Sequence, residues 1–182
     1  YTPVKKALES LKPCKVYLLS PQGEHLNQSK LNELSNDDDV TLICGRYEGV
    51  DERIISNLID GEISLGDFVL SGGELPASII IEGITRLIPG AAENIDSIKD
   101  DSFSNYLLDY PHFTKPIEVD GMCVPDVLVS GNHDEIKKWR RKQALGMTQL
   151  KRPDLLKNVN LSKEDDRLLQ EFIVEHKESQ NE

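Results

Sequence analysis

The stretch DFVLSGGELP, residues 67–76, places two adjacent glycines, Gly72 and Gly73, between an apolar run and a segment opening with Glu74 and Pro76. Glycines let a backbone come close to something, and strand–glycine–helix is how many phosphate sites begin. The residue types here argue against phosphate. The fingerprint G-x-G-x-x-G is absent, and GEISLGDF from Gly61, the nearest approach to a P-loop, has Asp67 where the phosphate-binding lysine would stand. Asp67 and Glu74 repel phosphate, so the loop suits a ligand that is not strongly anionic. A second group has the opposite sign. Residues 136–153, IKKWRRKQALGMTQLKRP, hold Lys137, Lys138, Arg140, Arg141, Lys142, Lys151 and Arg152 and no Asp or Glu, although the chain carries a net charge of −11. The overall charge excludes a generic nucleic-acid binder, whose affinity comes from neutralising phosphates. A basic patch on an acidic body suits selective polyanion binding, and a solvated helix face is the plainer alternative.

The elements that must position these groups are legible from periodicity. KVYLLS (15–20), VTLICG (40–45) and DFVLSGG (67–73) read as buried strands, and PVKKALESLK, QSKLNELS, DERIISNLI and ELPASIIIEGITRLI read as helices. That order predicts a parallel α/β sheet with the loops SPQG, GRYEG and SGGELP at the carboxyl ends of strands, where such sheets place ligands. After Pro89-Gly90 the periodicity stops, and AAENIDSIKDDSFSN reads as a flexible linker. Beyond it, Asn132 and Glu135 form an N-x-x-E capping box ahead of one helix, and Ser162 begins another. The expected organisation is an α/β domain over 1–90, a linker over 91–105 and a small C-terminal helical domain over 106–182.

At 182 residues the chain can bury one good core or a core with a small appendage. Neither an 18-residue apolar run nor a basic leader is visible, so neither a membrane span nor a signal peptide is expected. Tyr1 in place of Met suggests that the sequence starts inside a longer protein. Cys14, Cys44 and Cys123, odd in number and without C-x-x-C spacing, read as reduced thiols of a cytoplasmic protein and as no zinc site.

Taken together, LSPQG, ICGRYEGVDERI, SLGDFVLSGGELPA, RLIPG, DSFSNYLLDYPHFTKP and LVSGNHDEIKKWR resemble the bacterial tRNA (guanine-N(1))-methyltransferases, members of the knotted SPOUT methyltransferases. The resemblance is colinear from about residue 12 to the C-terminus. It implies a deep trefoil knot, which periodicity alone would not suggest. The implied reaction moves a methyl group from S-adenosylmethionine, leaving S-adenosylhomocysteine, to the guanosine 3′ of the anticodon in tRNA. The implied cofactor residues are Ser20, Pro21, Gly45, Tyr47, Glu48, Gly49, Leu65, Gly66, Asp67, Phe68, Val69, Leu70, Gly72, Gly73 and Pro76. Their glycines would admit backbone close to the ligand, while Glu48 and Asp67 tolerate a sulfonium cation.

Guanine N1 carries a proton at neutral pH, so attack on a methyl carbon needs a base. Asp101 matches the family's base and Arg86 the arginine that would stabilise the charge developing on the adjacent carbonyl oxygen. Without the resemblance, Asp101 reads as a solvated acid and Arg86 as a surface helix residue. Asp109, His112, His133, Lys137, Arg140 and Arg141 are the candidates for tRNA contact. For His112 packing is equally open, and for His133 capping comes first. Trp139 reads as core ahead of base stacking. The resemblance also implies a homodimer whose active site is shared between subunits. No residue is assigned to a metal, since Asp109 and His112 have no further ligands at a recognised spacing. Two departures stand out: the family's N-terminal strand and glycine-rich loop lie outside the resemblance, and Leu18, with Tyr17 beside it, stands where the family often has tyrosine. The alternatives are a related SPOUT enzyme acting on another RNA base and a catalytically silent RNA-binding module.

Overall fold

A computed structural model describes residues 1–91 and 101–179, in two compact units, Tyr1–Ile95 and Asp96–Glu182. Most of the expected linker, residues 92–100, lies outside the described residues.

Unit 1 runs α1 (Thr2–Glu9), β1 (Lys15–His25), α2 (Gln28–Ser35), β2 (Val40–Cys44), α3 (Glu52–Leu58), β3 (Gly61–Ser64) and α4 (Glu74–Leu87). The sheet order is β2-β1-β3 with every pairing parallel, as the strand–helix alternation requires. Helices α2 and α3 start where short polar side chains satisfy first-turn N–H groups. Asn27 accepts from Lys30 N at 2.9 Å and Asp51 from Arg53 N at 2.9 Å. Tyr17 and Leu19, two apart on β1, share one sheet face and pack with Ile63 of β3, Leu34 of α2 and Ala77 and Ile80 of α4. Each large apolar side chain buried there contributes about 1.5–3 kcal/mol.

One strand differs from the sequence expectation. The third strand is the short GEIS of β3, and residues 67–73 are turns and irregular chain. Ile63 and Ser64 are buried, whereas Phe68, Val69 and Leu70 are 53%, 83% and 44% exposed. The apolar run therefore does not belong to the core. β1 is also longer than expected, because SPQG is absorbed into it as a bulge: Leu19 and Glu24 both pair with Ile63.

In unit 2, a two-stranded antiparallel ribbon, β4 (Glu118–Val119) and β5 (Met122–Cys123), precedes α5 (Asp126–Val129), α6 (His133–Lys151), α7 (Pro153–Leu156) and α8 (Lys163–Ser179). Asn132 caps α6 by accepting from Glu135 N at 3.4 Å. Ser162 caps α8 reciprocally: its Oγ accepts from Asp165 N at 3.1 Å, and Asp165 Oδ2 accepts from Ser162 N at 3.1 Å. α6 and α8 bury Ala144, Leu145, Leu168 and Leu169 with Leu107. Gly146 permits this approach, since a Cβ there would lie 2.2 Å from the Phe172 ring. Residues 101–105, the end of the expected linker, are tied into this unit by turns: Ser104 N donates to Asp101 O, Phe103 N donates to Leu107 O, and the Ser102 hydroxyl accepts from Asp109 N.

Candidate functional site

The bulge of β1 and the segments after β2 and β3 converge on a cleft of about 470 Å³ in unit 1. It is lined by Ser20, Pro21, Gly45, Tyr47, Glu48, Gly49, Leu65, Gly66, Phe68, Val69, Leu70, Gly72, Gly73 and Pro76, which is every expected cofactor residue except Asp67. The Asp67 side chain is 93% exposed and meets His25 Nε2 at 3.1 Å, away from the lining. Tyr47 sits at φ 63° with its side chain in solvent at the mouth.

The glycine pair explains the wall. Gly73 N donates to Gly45 O at 3.1 Å, Arg46 bridges to Gly72 in antiparallel fashion, and a Cβ on Gly73 would lie 2.8 Å from Cys44 Cα. These glycines bring backbone against backbone, docking the 67–73 segment on the end of β2. Across the same junction, Arg46 Nε donates to Glu74 Oε1 at 2.7 Å and holds the Glu74 carboxyl below its ordinary range. Partial burial, together with the nearby Glu74 charge, pushes the Cys44 thiol up.

Sequence reasoning missed several lining residues, among them Arg46, Glu52, Ser64, Leu18 and Glu62. With Arg46 engaged by Glu74, the remaining charged lining is Glu48, Glu52 and Glu62, so the cleft favours cationic ligand groups. Glu62 Oε1 is shielded from solvent and lacks a hydrogen-bond partner among the described residues. Only the pairing of β1 with β3 reveals that placement, and no local pattern signals it.

Arg86 is exposed in the last turn of α4, outside the cleft lining. Asp101 lies in unit 2 and lines a second cleft of about 330 Å³ with Asn105, Leu107, Leu108, Tyr110, Lys137, Arg140, Arg141 and Ala144. Three of the tRNA candidates, Lys137, Arg140 and Arg141, thus come together with Asp101. They are not equivalent. The Arg140 guanidinium lies 4.8 Å from the centroid of the Tyr110 ring, and its Nε is buried without a hydrogen-bond partner among the described residues. Arg141 Nε donates to Asp165 Oδ1 at 2.6 Å and Lys142 Nζ to Glu175 Oε1 at 2.7 Å, so both brace α6 against α8. The Arg141 hydrogen bond, against burial and aided by Ser162, holds the Asp165 carboxyl at about 2. Arg152 pairs with Asp154.

Asp109 and His112 meet at 2.8 Å, with the His112 ring tilted on Tyr110 at 4.9 Å. His133 is the exposed first residue of α6. Trp139 is half-buried with its ring 6.3 Å from that of Phe113, outside the core cluster of unit 2. Thr148, fully buried, donates to Ala144 O at 2.6 Å and accepts from Leu108 N at 2.8 Å, fixing the segment that follows Asp101.

The family described as tRNA (Guanine-1)-methyltransferase TrmD matches residues 1–158. The chain belongs to the tRNA (guanine-N(1))-methyltransferase family. A relative from Buchnera aphidicola subsp. Baizongia pistaciae, named tRNA (guanine-N(1)-)-methyltransferase, is 55% identical over 167 residues, 91% of this chain and 66% of the relative. Relatives of the same name are 53% identical in Legionella pneumophila subsp. pneumophila, over 97% of this chain and 71% of the relative, and 50% identical in Escherichia coli O139:H28, over 98% and 72%. The chain thus spans about two thirds of the length of these tRNA (guanine-N(1))-methyltransferases, and a methyltransferase requires a methyl donor.

Proposed function

We propose that the chain transfers a methyl group from S-adenosylmethionine to N1 of the guanosine 3′ of the anticodon in tRNA. The observation that carries this reading is the convergence of the SPQG, GRYEG and SGGELP loops on one acidic cleft in a chain of this family. The residues fit the cofactor: a cleft with uncompensated carboxylates and a shielded carboxylate oxygen accommodates a molecule bearing a sulfonium and an ammonium group. S-adenosylmethionine supplies the electrophilic methyl carbon when bound. The chain's residues do the rest. The 67–73 segment and Tyr47 hold and orient the ligand, Asp101 takes the proton from guanine N1, and Arg86 stabilises negative charge on the guanine oxygen. Lys137 and Arg140 contact phosphates of the tRNA.

The same reading includes the SPOUT trefoil knot in unit 1, a cytoplasmic location and a homodimer in which Asp101 serves the cofactor cleft of the other subunit. No helix among the described residues is long and apolar enough to cross a membrane. In support of the dimer, Leu75 and Ile79, one turn apart on α4, are 68% and 52% exposed, an apolar stripe that a second copy would cover. The deciding experiment maps the methylated nucleotide after incubation of the protein with S-adenosylmethionine and tRNA lacking the modification. Methylation at another base would transfer the chain to a related RNA methyltransferase activity, and failure to bind S-adenosylhomocysteine would leave an RNA-binding module.

A further inference from the structure

Glu62 lies on β3, opposite Leu18 of β1 in the parallel ladder. Paired residues share a sheet face, so Glu62 stands beside Leu18, 3% exposed, on the side away from the Tyr17–Leu19–Ile63 core. The β1 bulge lies close against its backbone: a Cβ on Gly23 would lie 2.3 Å from the Glu62 carbonyl carbon. Leu18 and Glu62 both line the cleft. The other lining carboxylates, Glu48 and Glu52, are exposed to solvent. Glu62 Oε1 is the exception, shielded and without a partner among the described residues.

A shielded carboxylate oxygen beside an aliphatic side chain is unfavourable until a donor reaches it, and native structures keep few such groups without a use. We infer that Glu62 is a further binding residue, which accepts a hydrogen bond from an amine nitrogen of the ligand held in this cleft. The inference rests on the cofactor reading given above. A carboxylate accepts and does not donate, so its partner must carry N–H or O–H, and a nitrogen donor answers the shielded charge better the more positive it is, ahead of the neutral ribose hydroxyls. S-adenosylmethionine and S-adenosylhomocysteine each offer two such nitrogens, the α-ammonium of the amino-acid end and the exocyclic amine of adenine. The sulfonium offers none.

The test is a set of binding cycles by isothermal titration. Wild type, Glu62→Leu and Glu62→Gln are titrated with S-adenosylhomocysteine, its inosine counterpart and its counterpart lacking the α-amine. Glu62→Leu should weaken S-adenosylhomocysteine roughly 10- to 100-fold, as expected for a lost hydrogen bond to a charged group. For the analogue that lacks the partner nitrogen, wild type and Glu62→Leu should bind within about twofold of each other, so the cycle names the nitrogen. Glu62→Gln, which preserves size, should show the same analogue pattern at smaller amplitude, and decides the matter if the leucine variant does not fold. Without ligand, Glu62→Leu should melt at or above wild type, because leucine suits a site beside Leu18; a purely structural glutamate would melt lower when replaced. Undiminished loss with both analogues overturns the inference, as does unchanged binding by Glu62→Leu. No binding of S-adenosylhomocysteine by wild type overturns the cofactor reading and the inference together.

Discussion

In the unit 1 cleft, acidic side chains are left facing open space and the lone lining arginine is engaged by Glu74, whereas on α6 of unit 2 two members of the dense basic run, Arg141 and Lys142, are answered by acids of α8. The first region keeps charge available and uses glycines to shape backbone. The second spends Arg141 and Lys142 on holding two helices together and leaves Lys137 and Arg140 at the cleft that contains Asp101. A run of like charge in sequence is therefore a mixture of scaffold and contact, separable only once the partners on the neighbouring helix are known.

The comparison breaks most severely at Gly73. Gly73→Val drives a branched side chain into Cys44 Cα, backbone that has nowhere to move, and should reduce S-adenosylhomocysteine affinity by on the order of 100-fold or more by isothermal titration. The helices of unit 2 should be untouched. Next is Asp101→Asn, which keeps the shape of the side chain but not its basicity: methyl transfer in single-turnover assays should fall by about 10²- to 10⁴-fold while cofactor affinity changes less than about twofold. Equal loss of both would return Asp101 to a structural role.

A smaller effect tests the scaffold half of the basic run. Asp165 is depressed in the folded state by Arg141, so its contribution is present above the ordinary aspartate range and is lost as pH falls through about 4 towards 2. Urea unfolding of wild type and Asp165→Asn should differ by about 2 kcal/mol from neutral pH down to about pH 5, and the gap should close below that. The smallest effect sharpens the distinction between neighbours on α6. Lys137→Ala should make the plot of log tRNA affinity against log salt shallower by about 0.7–0.9. Arg141→Ala should lower stability and leave that slope nearly unchanged.

Much of unit 1 was legible because loops rich in glycine and acidic residues sit between segments of clear period, and they land on one cleft. The third strand was not. Phe68, Val69 and Leu70 look like core in sequence yet face the cleft and solvent, while the strand that fills the edge is GEIS, short, with a charged residue and a single large apolar side chain, Ile63. Glu62 could not be singled out because its burial depends on the register of two strands distant in sequence. The answering acids of the basic run are hidden for the same reason: Asp165 lies 24 residues beyond Arg141 and Glu175 lies 33 beyond Lys142. Asp101 and Arg86 have no local signature of chemistry at all, and only the family resemblance raised them above ordinary surface residues.

Trp139 is the chain's single tryptophan, set half-buried against Phe113 in unit 2. Intrinsic emission excited at the red edge of protein absorption is thus a private signal of the helical unit, and the sheet of unit 1 contributes nothing of its own to it. Circular dichroism sums both units. A denaturation curve followed by fluorescence reports the unfolding of unit 2, to which the Asp165 pair belongs, and is deaf to local damage at the glycine loops, so the gap between the two optical curves becomes a measure of how independently the two cores melt.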